Sequence, residues 1–320
     1  MAPIVFVLVA GAALLHVTWN VLLKSAGDPL RAAAVGMTSA AVVLCPTALV
    51  AWLALDRPAI PSEVLVLSVV SGVLEAAYFA TLAAAYRRGD LSVVYPIARG
   101  SAPLLAVLIG VLILGERLDP AGYVGVAFLL IGILALQQPW KYLRASGRED
   151  AGAAGFALLT GVMIAGYSAV DSVAVKQTEP WIYAALIWIS CVVFLWGYVW
   201  FARASARQRT ALVADGGPSA AVVVAAVGDS GVEVDATPAP FSTRRAAIGG
   251  LITLAAYLLI LFAYSVAPLT AVAPLRESAI VLASGWGALR MREATGGRDA
   301  SRRIGAAGLV LVGAVLLALA

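Results

Sequence analysis

The stretch Gly72–Leu118 holds two apolar spans joined by the polar knot Arg87-Arg88-Gly89-Asp90, and the second span carries Tyr95-Pro96-Ile97-Ala98-Arg99-Gly100. A proline and a full charge thus stand inside apolar sequence. The chain writes this stretch twice. Shifted by 178 positions, Gly72 falls on Gly250, Tyr86 on Tyr264 and Pro96 on Pro274 without a gap, while Arg99 falls on Glu277 and Ala98 on Arg276. Duplicated spans with a proline and charges at matching places in both copies are the sequence trace of a membrane transporter's binding site.

Composition places the chain in a membrane. Of 320 residues, 62% are hydrophobic and 12% charged, whereas a soluble domain carries about 25% charged residues. Lipid can face most of such a surface; water cannot. The net charge of +4 is not a nucleic-acid signal, because the basic residues lie between apolar runs and not in one patch. The two cysteines, Cys45 and Cys191, both fall within apolar spans, so neither a disulfide framework nor a metal site is expected. One histidine excludes a His-rich metal cluster. Residues 3–23 lack a basic leading region and are expected to remain as the first span.

A bilayer-crossing helix needs about 20 mostly apolar residues. By that measure ten spans are expected, near 3–23, 32–54, 64–86, 91–114, 119–138, 152–175, 180–202, 245–266, 270–289 and 302–320. Residues 139–151 divide them into two groups of five, giving a first repeat over 1–138 and a second over 152–320. Residues 203–244, rich in Ala, Gly, Ser and Pro, read as a poorly ordered insert in the second repeat. Of the 22 Lys and Arg, 17 fall at odd-numbered connections, three (Arg57, Arg117, Lys176) at even-numbered ones, and two inside spans. The positive-inside rule then puts odd connections in the cytoplasm and both termini outside. Five spans per copy is an odd number, so the second copy enters from the opposite face. The expected fold is all-α: ten transmembrane helices in two inverted five-helix repeats.

Ionisable groups inside spans cost a few kcal/mol each and therefore face the bundle interior or water. Here they are Glu75, Arg99, Asp171, Arg276 and Glu277. Helical spacing sets His16, Trp19 and Asn20 on one face, with Lys24 a turn further on; Glu75 with Tyr78; Tyr95 with Arg99; and Tyr167 with Asp171. Tyr257 completes the candidate substrate-binding set, and Pro96 and Pro274 are candidate hinges because each removes a backbone donor and disfavours helix before it. Plainer readings stand beside these. Asp171 or Lys24 at a span end would simply reach water, Arg99 and Glu75 would form a structural ion pair, and Trp19 and His16 would be packing residues. As a binding residue, His16 is instead the candidate proton carrier, its ordinary pKa being near 6.5. Arg276 and Glu277, about 100° apart on a helix, are expected to diverge, one lining a cavity and the other pairing with a neighbouring span.

The chain shows no phosphate-cradling Gly-Lys-Ser/Thr loop, no hydrolase elbow and no zinc motif. No catalytic residue, cofactor or metal is therefore expected, and an ion gradient or the substrate's own gradient must drive any transport.

Gly11 through His16-Val17-Thr18-Trp19-Asn20 to Lys24, then Tyr95-Pro96 to Arg99 and Pro103, then Leu114-Gly115-Glu116-Arg117-Leu118, resemble an EamA-like member of the drug/metabolite transporter superfamily; Ala273-Pro274-Leu275-Arg276-Glu277-Ser278 is similar to that family's second repeat. The resemblance implies ten helices in two inverted repeats around a cavity lined by spans one, three, four, six, eight and nine, and movement of small metabolites. Where the second repeat would carry Gly-Glu-Arg-Leu again, this chain has Arg290-Met291-Arg292-Glu293-Ala294, which leaves the turn between spans nine and ten in question.

The reading is a secondary transporter of a small polar or amphipathic metabolite, amino-acid-like or an organic anion, in the cell (inner) membrane. Its expected partners are that small-molecule substrate, the lipid bilayer and a coupling proton or other ion; a homodimer is compatible, nucleic acid is not. The competing readings are a membrane enzyme or lipid-handling protein acting on a lipid head group, and a non-transporting subunit. Paired prolines favour the transporter, since a single enzyme site gains nothing from two matching kinks.

Overall fold

A computed structural model describes residues 3–24, 28–86, 88, 91–138, 140, 151–214, 241–286 and 297–319. They form ten helices: α1 Pro3–Lys24, α2 Pro29–Ala54, α3 Ser62–Tyr86, α4 Leu91–Leu112, α5 Pro120–Gln137, α6 Ala151–Ala174, α7 Pro180–Ala214, α8 Thr243–Val266, α9 Leu269–Trp286 and α10 Gly297–Leu319. Lipid offers backbone groups no partner, so helices that satisfy their own N–H and C=O are the natural solution for so apolar a chain. Six stretches are long and apolar enough to cross a membrane, namely Leu30–Ala54, Ser62–Tyr86, Pro120–Gln137, Gly152–Ala174, Pro180–Ala204 and Thr243–Val266. Pro3–His16, Ile97–Leu112 and Ile304–Leu317 are shorter apolar helical stretches. The protein is an all-helical, multi-pass membrane protein.

Acid–proline pairs punctuate the chain. Asp28 caps α2 through Leu30 and Arg31 N–H, and Asp119 caps α5 through Gly122 N–H, each with proline at the first helical position. One boundary differs clearly from expectation. α7 runs to Ala214, so residues 203–214 continue the helix instead of opening the insert. The composition of that segment explains it: it is rich in alanine and arginine, both strong helix formers, and no glycine or proline intervenes before Gly216-Gly217-Pro218. The rest of that insert (215–240), most of the 139–151 linker, the turn through Arg290–Gly296, and Arg87, Gly89 and Asp90 lie outside the described residues, as do the side chains of Asn20, Lys24 and Pro96.

α3 packs between α6 and α7, α8 packs between α1 and α2, α4 packs on α6 and α9, and α5 packs along α10. Two of these contacts are backbone to backbone. A Cβ on Gly250 would collide with the Gly36 backbone, and one on Gly313 would lie 2.6 Å from the Gly125 carbonyl oxygen. Only glycine admits helices this close.

The Gly115-Glu116 turn joins α4 to the start of α9. Gly115 has φ +65°, Glu116 N–H donates to Gly110 O at 2.9 Å, and the Glu116 carboxylate accepts from Leu269 N–H at 2.8 Å and Thr270 N–H at 2.9 Å. It closes two of the donors that a helix start leaves open, at the end where the dipole favours negative charge.

Two outcomes check this packing. Gly250→Ala lowers thermal stability in detergent by about 1–3 kcal/mol through overpacking, whereas Gly305→Ala, which meets nothing within 4 Å, leaves the unfolding midpoint unchanged. Glu116→Ala costs about 1.5–3 kcal/mol, the range for hydrogen bonds to a charged group, read in the same thermal scan.

Candidate functional site

At the centre of the bundle one carboxylate sits between two guanidinium groups. Arg99 Nη1 on α4 donates to Glu277 Oε1 on α9 at 2.9 Å, and Arg276 Nε donates to the same oxygen at 3.2 Å. Arg99 and Glu277 are 5% and 1% exposed. Glu277 pairs with a neighbouring span as expected, but Arg276 does not diverge from it: the backbone points them apart, and the long arginine side chain curls back. Nor does Arg99 pair with Glu75, because Glu277 takes its place.

His16 on α1 joins this cluster. Its Nε2 lies 2.6 Å from Arg99 Nη2, and Trp19 Nε1 approaches its Nδ1 at 3.3 Å. Arginine can only donate, so Nε2 accepts, and a neutral imidazole offers a single accepting nitrogen. The shorter contact, to Arg99, is therefore the one the ring tautomer serves. Tyr95, one turn before Arg99, places its ring 5.9 Å from the Arg99 guanidinium carbon.

A second polar centre stands apart from the first. Asp171 on α6, 1% exposed, does not reach water at a span end. It accepts from three hydroxyls: Ser71 of α3 at 2.6 Å and Tyr183 of α7 at 3.0 Å on Oδ1, and Tyr257 of α8 at 2.5 Å on Oδ2. Glu75, one helical turn after Ser71, is 5% exposed and its Oε2 has no hydrogen-bond partner.

Aromatic rings connect the two centres. His16 meets Trp19 (centroids 5.8 Å), Trp19 meets Phe79 (6.4 Å), Phe79 meets Tyr78 (4.8 Å), Tyr78 meets Tyr167 (6.1 Å), Tyr167 meets Tyr257 (6.3 Å) and Tyr257 meets Trp188 (5.0 Å). Tyr78 lies within electrostatic reach of Arg99, Arg276 and Glu277 on one side and Glu75 on the other. A narrow crevice lined by Tyr78, Tyr86, Tyr95, Arg99 and Thr160 leads from Arg99 toward the α3–α4 connection.

Of the candidate residues, His16, Trp19, Tyr95, Arg99, Arg276 and Glu277 gather at the first centre, Glu75, Asp171 and Tyr257 at the second, and Tyr78 and Tyr167 between them. Asn20 falls outside the described side chains. α9 passes through Pro274 as helix, and α4 is helical across position 96. Ser71, Tyr183 and Trp188 were not singled out from sequence. Ser71 was within reach, standing four residues before Glu75 on the same face; Tyr183 and Trp188 sit in a span that reads as uniformly apolar.

The buried cluster has a measurable signature. Arg99→Ala and Glu277→Ala each destabilise by about 3–5 kcal/mol, the cost of leaving one member of a buried ion pair uncompensated. The double variant costs less than the two summed, as read by thermal unfolding in detergent.

Comparison with known proteins adds three findings. The profile of the EamA-like transporter family matches residues 3–137. A multidrug transporter of Pseudomonas aeruginosa is 34% identical over 108 residues, which span 34% of this chain and 89% of that protein. A solved crystal structure of another protein shares the fold at TM-score 0.65 and 17% identity over 98% of both chains.

Proposed function

The chain belongs to the EamA-like transporter family, and on that premise we propose that this membrane transporter moves a small polar or amphipathic metabolite by alternating access between two inverted five-helix repeats, α1–α5 and α6–α10. The supporting observation is the Arg99–Glu277 contact. These positions correspond under the 178-residue shift, and equivalent residues can touch only where the two copies meet on a shared axis. The packing supports the same relation. Exchanging each helix for its counterpart five places on turns α3–α6 into α8–α1, α3–α7 into α8–α2, and α4–α6 into α9–α1, and all of these pairs are in contact. Gly72 against Ser190 of α7 likewise matches Gly250 against Gly36 of α2. With an odd number of helices per copy, such an axis lies in the membrane plane.

Two arginines share one carboxylate, so the first centre carries excess positive charge. The Arg276 Nη groups have no hydrogen-bond partner among the described residues, which leaves a guanidinium fork for an anionic group of the substrate, carboxylate being the natural match. The second centre, carrying carboxylates, suits a cationic end. An amino-acid-like zwitterion or an organic anion fits this polarity, and the rings between accept an apolar body. At the face of the α4–α5 and α8–α9 turns, Glu116 clasps α9; the narrow crevice beside Arg99 lies between α3, α4 and α6. By the distribution of Lys and Arg the α3–α4 connection is cytoplasmic, the protein lies in the cell membrane, and both termini are outside.

Reconstitution in liposomes tests the reading. Counterflow of radiolabelled amino acids and organic anions is expected with unaltered solute recovered, and Arg276→Ala abolishes it while changing the thermal midpoint little. Absence of flux across the panel, or flux retained in Arg276→Ala, contradicts the assignment.

A further inference from the structure

Among the described residues, Glu75 is the charged side chain of the chamber with a buried oxygen, Oε2, that has no hydrogen-bond partner. Ser71, Tyr183 and Tyr257 each turn their single hydroxyl proton to Asp171, so beside Glu75 the Tyr257 hydroxyl is already spent as a donor and the Cys191 thiol is a weak one. The titratable and charged groups facing Glu75 are Asp171 and Tyr167 of α6, Tyr183 and Cys191 of α7, Tyr257 of α8 and Arg276 of α9. α4 presents Arg99, which is committed to Glu277 and His16, and α2 presents only Cys45, whose thiol lies 3.9 Å from the Ala185 carbonyl oxygen.

That environment selects the missing ligand. A sodium ion needs several oxygens in one shell, whereas the groups adjoining Glu75 are the Cys191 thiol and the single hydroxyl of Tyr257, whose ring packs on Trp188. No group of three His, Cys, Asp or Glu able to hold a metal ion occurs among the described residues. A proton requires a single lone pair, which is what Oε2 offers. His16, the other candidate carrier, has its Nε2 occupied by Arg99.

We propose that Glu75 is the proton-binding group that couples solute movement to a proton gradient, taking up and releasing one proton at Oε2 as the chamber is exposed to one face and then the other. The step involves no oxidation and no bond cleavage elsewhere: O–H forms on Glu75 as water or hydronium gives up a proton, and the reverse occurs on release. This rests on the transporter reading above and deepens it by naming the coupling ion and its site. α3 is suited to the role, since Glu75 at the second centre and Tyr78 and Phe79 in the ring chain are within four residues of one another on it.

The test uses the full chain in liposomes and the solute that shows counterflow. A pH difference of one unit across the membrane drives about tenfold accumulation for one coupled proton, and sodium gradients at equal pH drive none. Glu75→Gln, where it still moves solute, equilibrates it without accumulating it, and where it moves none the infrared measurement below decides; Asp171→Asn, if it moves solute, still accumulates it. Accumulation surviving in Glu75→Gln, or accumulation driven by sodium, overturns the proposal. If no liposome moves any solute, the transport reading fails, and infrared difference spectra of the solubilised protein between acid and alkaline pH decide the proton site separately. A carboxylic-acid carbonyl band present in wild type, lost in Glu75→Gln and kept in Asp171→Asn supports it, and its absence from wild type overturns it.

Discussion

Glu277 holds the chamber together by serving two arginines at once. Removing charges from water costs several kcal/mol per ion, and here the removal is only partly compensated, since one carboxylate oxygen accepts from both Arg99 and Arg276. Hydrophobic residues of equal volume would pack this space at less cost. The cluster therefore makes poor sense as a stability device and good sense as a place that a ligand completes. His16 contributes by accepting from Arg99, which fixes the guanidinium plane and leaves the Arg276 fork as the adaptable partner.

The second centre follows the opposite logic. Asp171 draws its three hydroxyl donors from α3, α7 and α8, so it binds helices from both halves of the chain, with Arg276 within electrostatic reach and not in contact. A carboxylate so fully hydrogen-bonded is a rigid feature; the adjoining Glu75 is the unfinished one. Between the centres the rings from His16 to Trp188 meet one another edge to face or tilted, with centroids 4.8–6.4 Å apart. α3 contributes to both centres and to the ring chain, so displacement of that one helix alters the charge environment at both ends together.

Much of this was legible in the residues. The scarcity of charge, the apolar spans and the matched prolines mark a polytopic membrane protein, and the few ionisable groups inside spans are the ones now found buried together. Two expectations and one alternative reading went astray for identifiable reasons. The alternative, an Arg99–Glu75 pair, gives way to Arg99–Glu277, because spacing along one helix says nothing of which helix lies opposite. Arg276 and Glu277 converge, because the direction of a Cα–Cβ bond does not limit where a long flexible guanidinium ends. α7 extends past the expected span end, because helix propensity continues where hydropathy stops.

Local sequence determined the helices, their acid–proline starts, the glycines where backbones touch, and the inventory of charge that lipid would not tolerate on the outside. All of these depend on neighbours within a turn or two, or on the solvent a segment prefers. Only the tertiary structure decided that Arg99 meets the residue 178 positions away, that three hydroxyls from three helices turn on Asp171, and that Glu75 Oε2 is left without a donor. Those outcomes depend on which helix faces lie opposite one another in space, and hydrogen-bond partners are allotted there by angstrom-scale distances that no spacing along a single chain encodes.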